Sequence, residues 1–164
     1  MGNSPLTIRF AVDAMLGRLA NHLLHTGYDC YYQDQVDDPE LAELADSTDR
    51  IILTRDSDFV RNPTLNSEVF VLRETSLQDS LYGLKQGFNL IFHPDFFFTR
   101  CADCNRALQP VDKGDVRESI PEGTSEWIEE FYRCNSCGKL YWKGSHHEDL
   151  ISKLRKWGLL NQTA

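Results

Sequence analysis

Thr7-Ile8-Arg9-Phe10-Ala11-Val12-Asp13 is an apolar, strand-forming run that stops at an acid. Directly after it, Leu16, Leu19, Ala20, Leu23 and Leu24 recur at i, i+3, i+4, i+7 and i+8, which is one face of an α-helix, and Gly27 supplies a stop. The same handover from strand to helix repeats through the first half of the chain. A short strand near Cys30–Tyr32 leads into the acidic loop Asp34-Gln35-Val36-Asp37-Asp38. Pro39 suits a first helical position, and Leu41, Leu44 and Ala45 mark a second amphipathic helix. Arg50-Ile51-Ile52-Leu53-Thr54 reads as a buried strand ending at Arg55-Asp56. A short helix from Ser57, a strand at Val69–Leu72 and a helix carrying Leu77, Leu81, Leu84 and Phe88 follow. This alternation predicts a parallel sheet with helices on both faces. Right-handed crossovers bring every strand's C-terminal end to one edge, and ligands bind at that edge where the strand order reverses.

The predicted edge is acidic. Asp13 ends the first strand, Asp34, Asp37 and Asp38 follow the second, and Asp56 with Asp58 follow the third. Carboxylates gathered in this way repel one another unless a cation binds between them. Hard oxygen ligands suit Mg2+ or Mn2+, which serve phosphodiester hydrolysis. Each acid also has a structural alternative. Asp38 before Pro39 and Asp56 before Ser57 have the look of helix N-caps, and Asp34 or Asp37 can be an ordinary loop acid. Charge is distributed unevenly: residues 1–99 hold 7 Lys+Arg against 15 Asp+Glu, whereas residues 100–164 hold 10 of each. An acidic domain repels nucleic acid at long range, so a polyanionic substrate would need local basic residues or bound cations.

Four of the five cysteines form Cys101-x-x-Cys104 and Cys134-x-x-Cys137, two turns that can offer four thiolates to one zinc ion. Two disulfides are the alternative. A set of four thiolates leaves zinc no open position, which points to a structural metal. Cys30, in Cys30-Tyr31-Tyr32, reads as a buried core residue. The long spacing between Cys104 and Cys134 calls for a hairpin or loop of its own, with Asp112–Glu130 expected to be exposed and mobile. Arg133, Lys139, Tyr141, Trp142, Lys143, His146 and His147 surround the second knuckle, and such interleaved basic and aromatic residues can grip phosphates and stack unpaired bases. Alternatively the aromatics pack internally and the charges face solvent. Ser145-His146-His147-Glu148 has capping-box spacing for a helix through Ile151, Leu154 and Trp157, and residues 89–100 read as a phenylalanine-rich connector.

Val12-Asp13-Ala14-Met15-Leu16-Gly17-Arg18-Leu19-Ala20, then Gly27-Tyr28-Asp29 and Ile52-Leu53-Thr54-Arg55-Asp56, resembles the Mut-seven C-terminal ribonuclease domain, a family of PIN-like nucleases. Arg100-Cys101-x-x-Cys104-Asn105 and Cys134-x-x-Cys137-Gly138-Lys139-x-Tyr141-Trp142-x-Gly144-Ser145-His146 resemble its zinc-ribbon signature. The resemblance spans about residues 7–157. It implies a PIN-like catalytic domain over 1–95, and a zinc ribbon with a C-terminal helix over 96–164. It further implies a metal-dependent ribonuclease using Mg2+ or Mn2+. Asp13 and Asp56 match the family acids, Asp38 (with Asp37 as the alternative) supplies the middle one, and Asp58 is a supporting ligand. Arg18 and Arg55 match its basic positions, where they can clasp a phosphate or hold the acids in salt bridges. With Lys139, Trp142 and Lys143 they form the expected contact set for RNA, most simply a single strand. A non-catalytic RNA- or ribosome-binding protein, or a zinc-scaffolded interaction domain, would keep the same fold.

No run approaches the length of a membrane span, and Met1-Gly2-Asn3-Ser4-Pro5 reads as neither signal nor transit peptide, so a cytoplasmic protein is expected. Thr7 falls one place late for an acylation motif. Oligomeric state is not legible from the chain.

Overall fold

The computed structural model describes residues 6–162. The opening pentapeptide, and the reading made of it, lies outside them. The chain divides into two compact units. One runs up to Leu24 and continues over Tyr28–Ile91; the other comprises His25–Gly27 and the chain from Phe92 onward.

The first unit holds β1 (Arg9–Val12), β2 (Asp29–Tyr32), β3 (Ile51–Thr54) and β4 (Val69–Val71) in one parallel sheet of order β2-β1-β3-β4. In register, Val12 lies opposite Tyr32 on one side and Leu53 on the other. Period-two alternation sends successive residues to opposite faces. Ala11 and Ile52 pack with Val36, Phe59 and the Leu41, Ala42 and Ala45 side chains of α2 (Asp38–Thr48). Phe10 turns the other way, its ring 5.8 Å from that of Phe88 in α3 (Leu77–Phe88) and 6.1 Å from that of Tyr28. Both faces are covered, so Phe10, Ala11, Val12, Ile52 and Leu53 are all fully buried, as central parallel strands require. Each large side chain among them contributes roughly 1.5–3 kcal/mol through burial.

Local chemistry sets the ends of these elements. A 3-10 turn at Ala14–Leu16 leads into α1 (Gly17–His25), and Gly27 follows with φ 94°, a conformation that stops the helix at little cost to glycine. The close approach of Tyr32 explains the other glycine here: a Cβ on Gly17 would stand 2.5 Å from the Tyr32 hydroxyl, which donates to the Ala14 carbonyl at 3.1 Å. At the start of α2, Asp37 and not Asp38 is the N-cap. Its Oδ1 accepts the Glu40 N–H at 2.9 Å, while Asp38 already stands in the first turn beside Pro39. Where the strands begin, Arg50 donates to Asp29 at 2.6 Å and to the Phe10 carbonyl at 3.2 Å.

The second unit is built on an antiparallel sheet, β5 (Gln109–Val111), β6 (Phe131–Arg133) and β7 (Leu140–Trp142), in that order. The insert between the cysteine pairs is more ordered than its polar composition suggests. Its ends form the β5–β6 pair, α4 (Lys113–Val116) and α5 (Thr124–Trp127) occupy its middle, and Val116 is fully buried. The last helix, α6 (Ser145–Lys156), starts where expected, but no capping box forms. Gly144 is the cap, its carbonyl accepting the Glu148 N–H at 3.1 Å, with no side-chain cap bond. Within this unit Phe92 exchanges two 2.9 Å bonds with Asn161, and Phe97 is buried.

Candidate functional site

β1 has β2 on one side and β3 on the other, so the winding of the chain reverses between β1 and β3. Asp13 and Asp56 sit just beyond the C-terminal ends of those two strands. A single hydroxyl joins them. Thr54 Oγ1 donates to Asp13 Oδ2 at 2.6 Å and accepts the Asp56 backbone N–H at 3.0 Å. Thr54 is fully buried and Asp13 only 7 % exposed. The other Asp13 oxygen accepts the Met15 N–H at 3.3 Å, and the Asp13 N–H donates to the Leu53 carbonyl at 3.0 Å. Asp56 caps the following 3-10 turn, Oδ1 accepting the Asp58 N–H at 2.8 Å.

Since Asp37 does the capping, the Asp38 carboxylate is not committed to its helix. Burial, then the charges of Asp13, Asp56 and Asp37, push Asp38 above its ordinary value of 3.8. Asp38 therefore feels the charge of both other predicted acids. The three do not close into a tight cage: among the described residues, the one group of three or more His, Cys, Asp or Glu side chains with ligand atoms all within 4.8 Å of one another is the four cysteines. Asp38, Asp56 and Asp58 line a cleft of about 570 Å³ with Glu43 and Asp46. Asp46 has a structural task, since the hydroxyl and N–H of Ser67 and the N–H of Asn66 donate to it and lower its pKa. Asp58 pairs with Arg61 at 3.2 Å. Separated hard oxygens around an open cleft fit Mg2+ or Mn2+, which retain several waters, better than a cation that needs a complete protein shell. Arg18 and Arg55 are exposed and line a second pocket together. Sequence reasoning missed Thr54 as a functional residue. A β-branched residue at the end of a buried strand looks like a strand former, and only the register shows its hydroxyl between two acids.

The four cysteines are all free thiols. Cys101 and Cys137 lie 3.7 Å apart at sulfur, far longer than a disulfide and close to the roughly 3.8 Å edge of a tetrahedron with Zn–S bonds near 2.3 Å. The donor set could hold zinc. The two knuckles are built alike. Cys101 N–H donates to the Arg106 carbonyl and Cys134 N–H to the Lys139 carbonyl, and the residue after each second cysteine is left-handed, Asn105 at φ 56° and Gly138 at φ 76°. Backbone N–H groups of Cys137 and Ser136 bring Cys134 down to about 7, so without metal it is already partly thiolate near neutral pH.

Tyr141 is another residue whose role the sequence does not disclose. It is 7 % exposed, packed with Phe98, Cys101, Leu108 and Cys134. Its hydroxyl accepts the Ala102 N–H at 2.9 Å and lies 3.2 Å from Cys101 Sγ, to which it donates when that sulfur is a thiolate. Burial and the sulfur raise its pKa, so it stays a donor. The expected RNA contacts of this unit are partly engaged already. Lys139 pairs with Asp103 at 2.9 Å, joining the two knuckles, and Trp142 is half-buried, its ring 6.1 Å from that of Phe131. Lys143 is half-buried; His146 is exposed and His147 buried.

The geometry is thus an acid-edged parallel sheet followed in the chain by a four-cysteine ribbon. Residues 8–154 match the family described as the Mut7-C RNAse domain, and the chain belongs to that family. No curated protein and no solved structure matches it. Membership supports a ribonuclease-type hydrolase acting on RNA.

Two expected outcomes follow from the site. Tyr141→Phe removes the hydrogen bond to Cys101 and should weaken zinc about tenfold, read by chelator competition; unchanged affinity would exclude that role. Asp38 is raised in the folded state, so its carboxylate opposes folding above that raised value, and the penalty lifts as pH falls through it. Asp38→Asn should therefore raise the melting temperature at neutral pH in chelator, by an amount that shrinks towards pH 4.

Proposed function

We propose that the protein is a Mg2+- or Mn2+-dependent ribonuclease, with Asp13, Asp38 and Asp56 as the metal-binding acids and Asp58 in support. The observation that carries this reading is the Thr54 hydroxyl, hydrogen-bonded to Asp13 and to the Asp56 backbone while Asp38 is strained by the charges of both. Carboxylates gathered at a topological switch point reduce stability unless a cation binds them, and such a cost is typical of functional sites. When bound, a divalent ion there supplies an acidified water and neutralises charge on the leaving oxygen.

The chain's own groups would hold and orient. Thr54 fixes the rotamer of Asp13 by donating to its Oδ2. Asp56 is held by the turn it caps. Arg18 and Arg55, flanking the acids in sequence, would clasp the scissile strand's phosphates with their planar forks. The four-cysteine zinc is structural in this reading and stiffens the ribbon; Lys143 and the exposed edge of Trp142 would add RNA contacts there, with Lys139 contributing less because of its pairing with Asp103. Reduced thiols suit the cytoplasm, the location we propose.

The deciding assay uses purified protein and labelled RNA with Mg2+, Mn2+ or chelator. Wild type should cleave only with divalent metal. Asp13→Asn should lose at least about a hundredfold in rate with its fold intact. Cleavage at the wild-type rate by the variant would overturn the assignment.

A further inference from the structure

The acidic first unit contains cations that its acids do not use. Of the seven Lys and Arg in residues 1–99, Arg9 pairs with Asp49 and Arg50 with Asp29, both where the strands begin. Four of the remaining five follow strand C-terminal ends: Arg18 after β1, Arg55 and Arg61 after β3, Arg73 after β4. Among the described residues, the guanidinium groups of Arg18 and Arg73 have no hydrogen-bond or ion-pair partner. Arg55 makes one bond, to the Thr75 carbonyl at 3.3 Å, and Arg61 a solvent-exposed pair with Asp58. In a unit with such an excess of carboxylates, arginines left without one leave their forks free for an anion from outside.

These arginines line two pockets that meet at Arg55. The larger, of about 730 Å³, is bounded by Arg55, Arg61, Arg73, Ser57, Val60 and Val71. The smaller, of about 180 Å³, includes Met15, Arg18, Arg55 and Thr75. Each contains an exposed large apolar side chain, Val60 at 59 % and Met15 at 55 %. Arginine forks beside apolar platforms match a polymer that alternates phosphates with flat apolar faces.

We propose that the two pockets form a track for one strand of RNA. The phosphate between two nucleotides sits at Arg55, with neighbouring phosphates at Arg18 on one side and at Arg61 and Arg73 on the other. One base lies on Met15 and the next on Val60. A base can reach such a platform only when it is out of a duplex, so the track selects unpaired RNA. The inference rests on the nuclease reading for the identity of the polymer, and adds Arg61, Arg73, Met15 and Val60 to the residues that hold it.

The test is fluorescence anisotropy of a labelled uridine-rich RNA on full-length Asp13→Asn protein in chelator, so that nothing is cut and no divalent metal contributes. Against that background, Arg61→Gln with Arg73→Gln should weaken binding roughly tenfold and flatten the dependence of log affinity on log salt by about 1.4, for two phosphate contacts on a single strand. Met15→Ala with Val60→Ala should weaken binding without changing that slope, and the same RNA annealed into a duplex should bind more weakly than the single strand. All these side chains are exposed, and equal melting temperatures check the folds. The track is overturned if the arginine pair binds with unchanged affinity and slope, or if duplex binds as tightly as single strand. Because this experiment measures binding without cleavage, its failure leaves the nuclease reading to its own assay, and failure of that assay leaves this one readable.

Discussion

A single hydroxyl organises the acidic edge. Thr54 stands at the last position of β3, and its Oγ1 both donates to the buried carboxylate of Asp13 and accepts the N–H of Asp56. The bond to Asp13 is possible only because β1 and β3 are neighbours in register, with Val12 opposite Leu53. That adjacency requires the chain to cross to the other side of β1 after β2. Fold, register and site are thus one constraint: an acid at the end of one strand is satisfied by the strand that a crossover brings beside it.

The two units offer donor sets of opposite kinds. In the first, oxygen donors are spread around an open cleft and Asp38 feels the charge of its acidic neighbours, an arrangement suited to a cation that keeps its waters and shares its shell with substrate. In the second, four sulfurs are gathered within 4.8 Å by two matching turns, with Tyr141 hydrogen-bonded to one of them. A closed sulfur site adds folding energy, whereas an open oxygen site stores electrostatic strain for chemistry. The family to which the chain belongs is described as an RNase domain.

Much of this was legible in the residues. Leu16, Leu19, Ala20, Leu23 and Leu24 give α1 its face, and the apolar runs at Phe10–Val12 and Ile52–Leu53 read as strands, the second of a buried type. The paired cysteines disclose their cluster by spacing. Other features depend on three-dimensional detail that spacing does not carry. Asp37 and Asp38 both precede Pro39, and which one caps α2 turns on the Glu40 N–H pointing at Asp37. Ser145 and Glu148 have the right separation for a capping box, yet the chain enters α6 through Gly144. Val116 sits in a polar stretch and is buried all the same. Arg61 and Arg73 are twelve positions apart in sequence and converge only because β4 lies beside β3.

The central claim, that the acids beyond β1 and β3 with Asp38 share one divalent cation, is tested most directly by titrating Mn2+ into protein stripped of divalent metal at its acidic edge and following free Mn2+ by electron paramagnetic resonance. The four-cysteine cluster should be loaded with zinc beforehand, so that the sulfur site takes no manganese. Wild type should bind Mn2+ saturably, and Thr54→Val, which removes only the hydroxyl between Asp13 and Asp56, should weaken that binding roughly tenfold or more. Equal affinity in the two proteins would contradict the account, because the residue that joins the acids would then have no influence on what they hold.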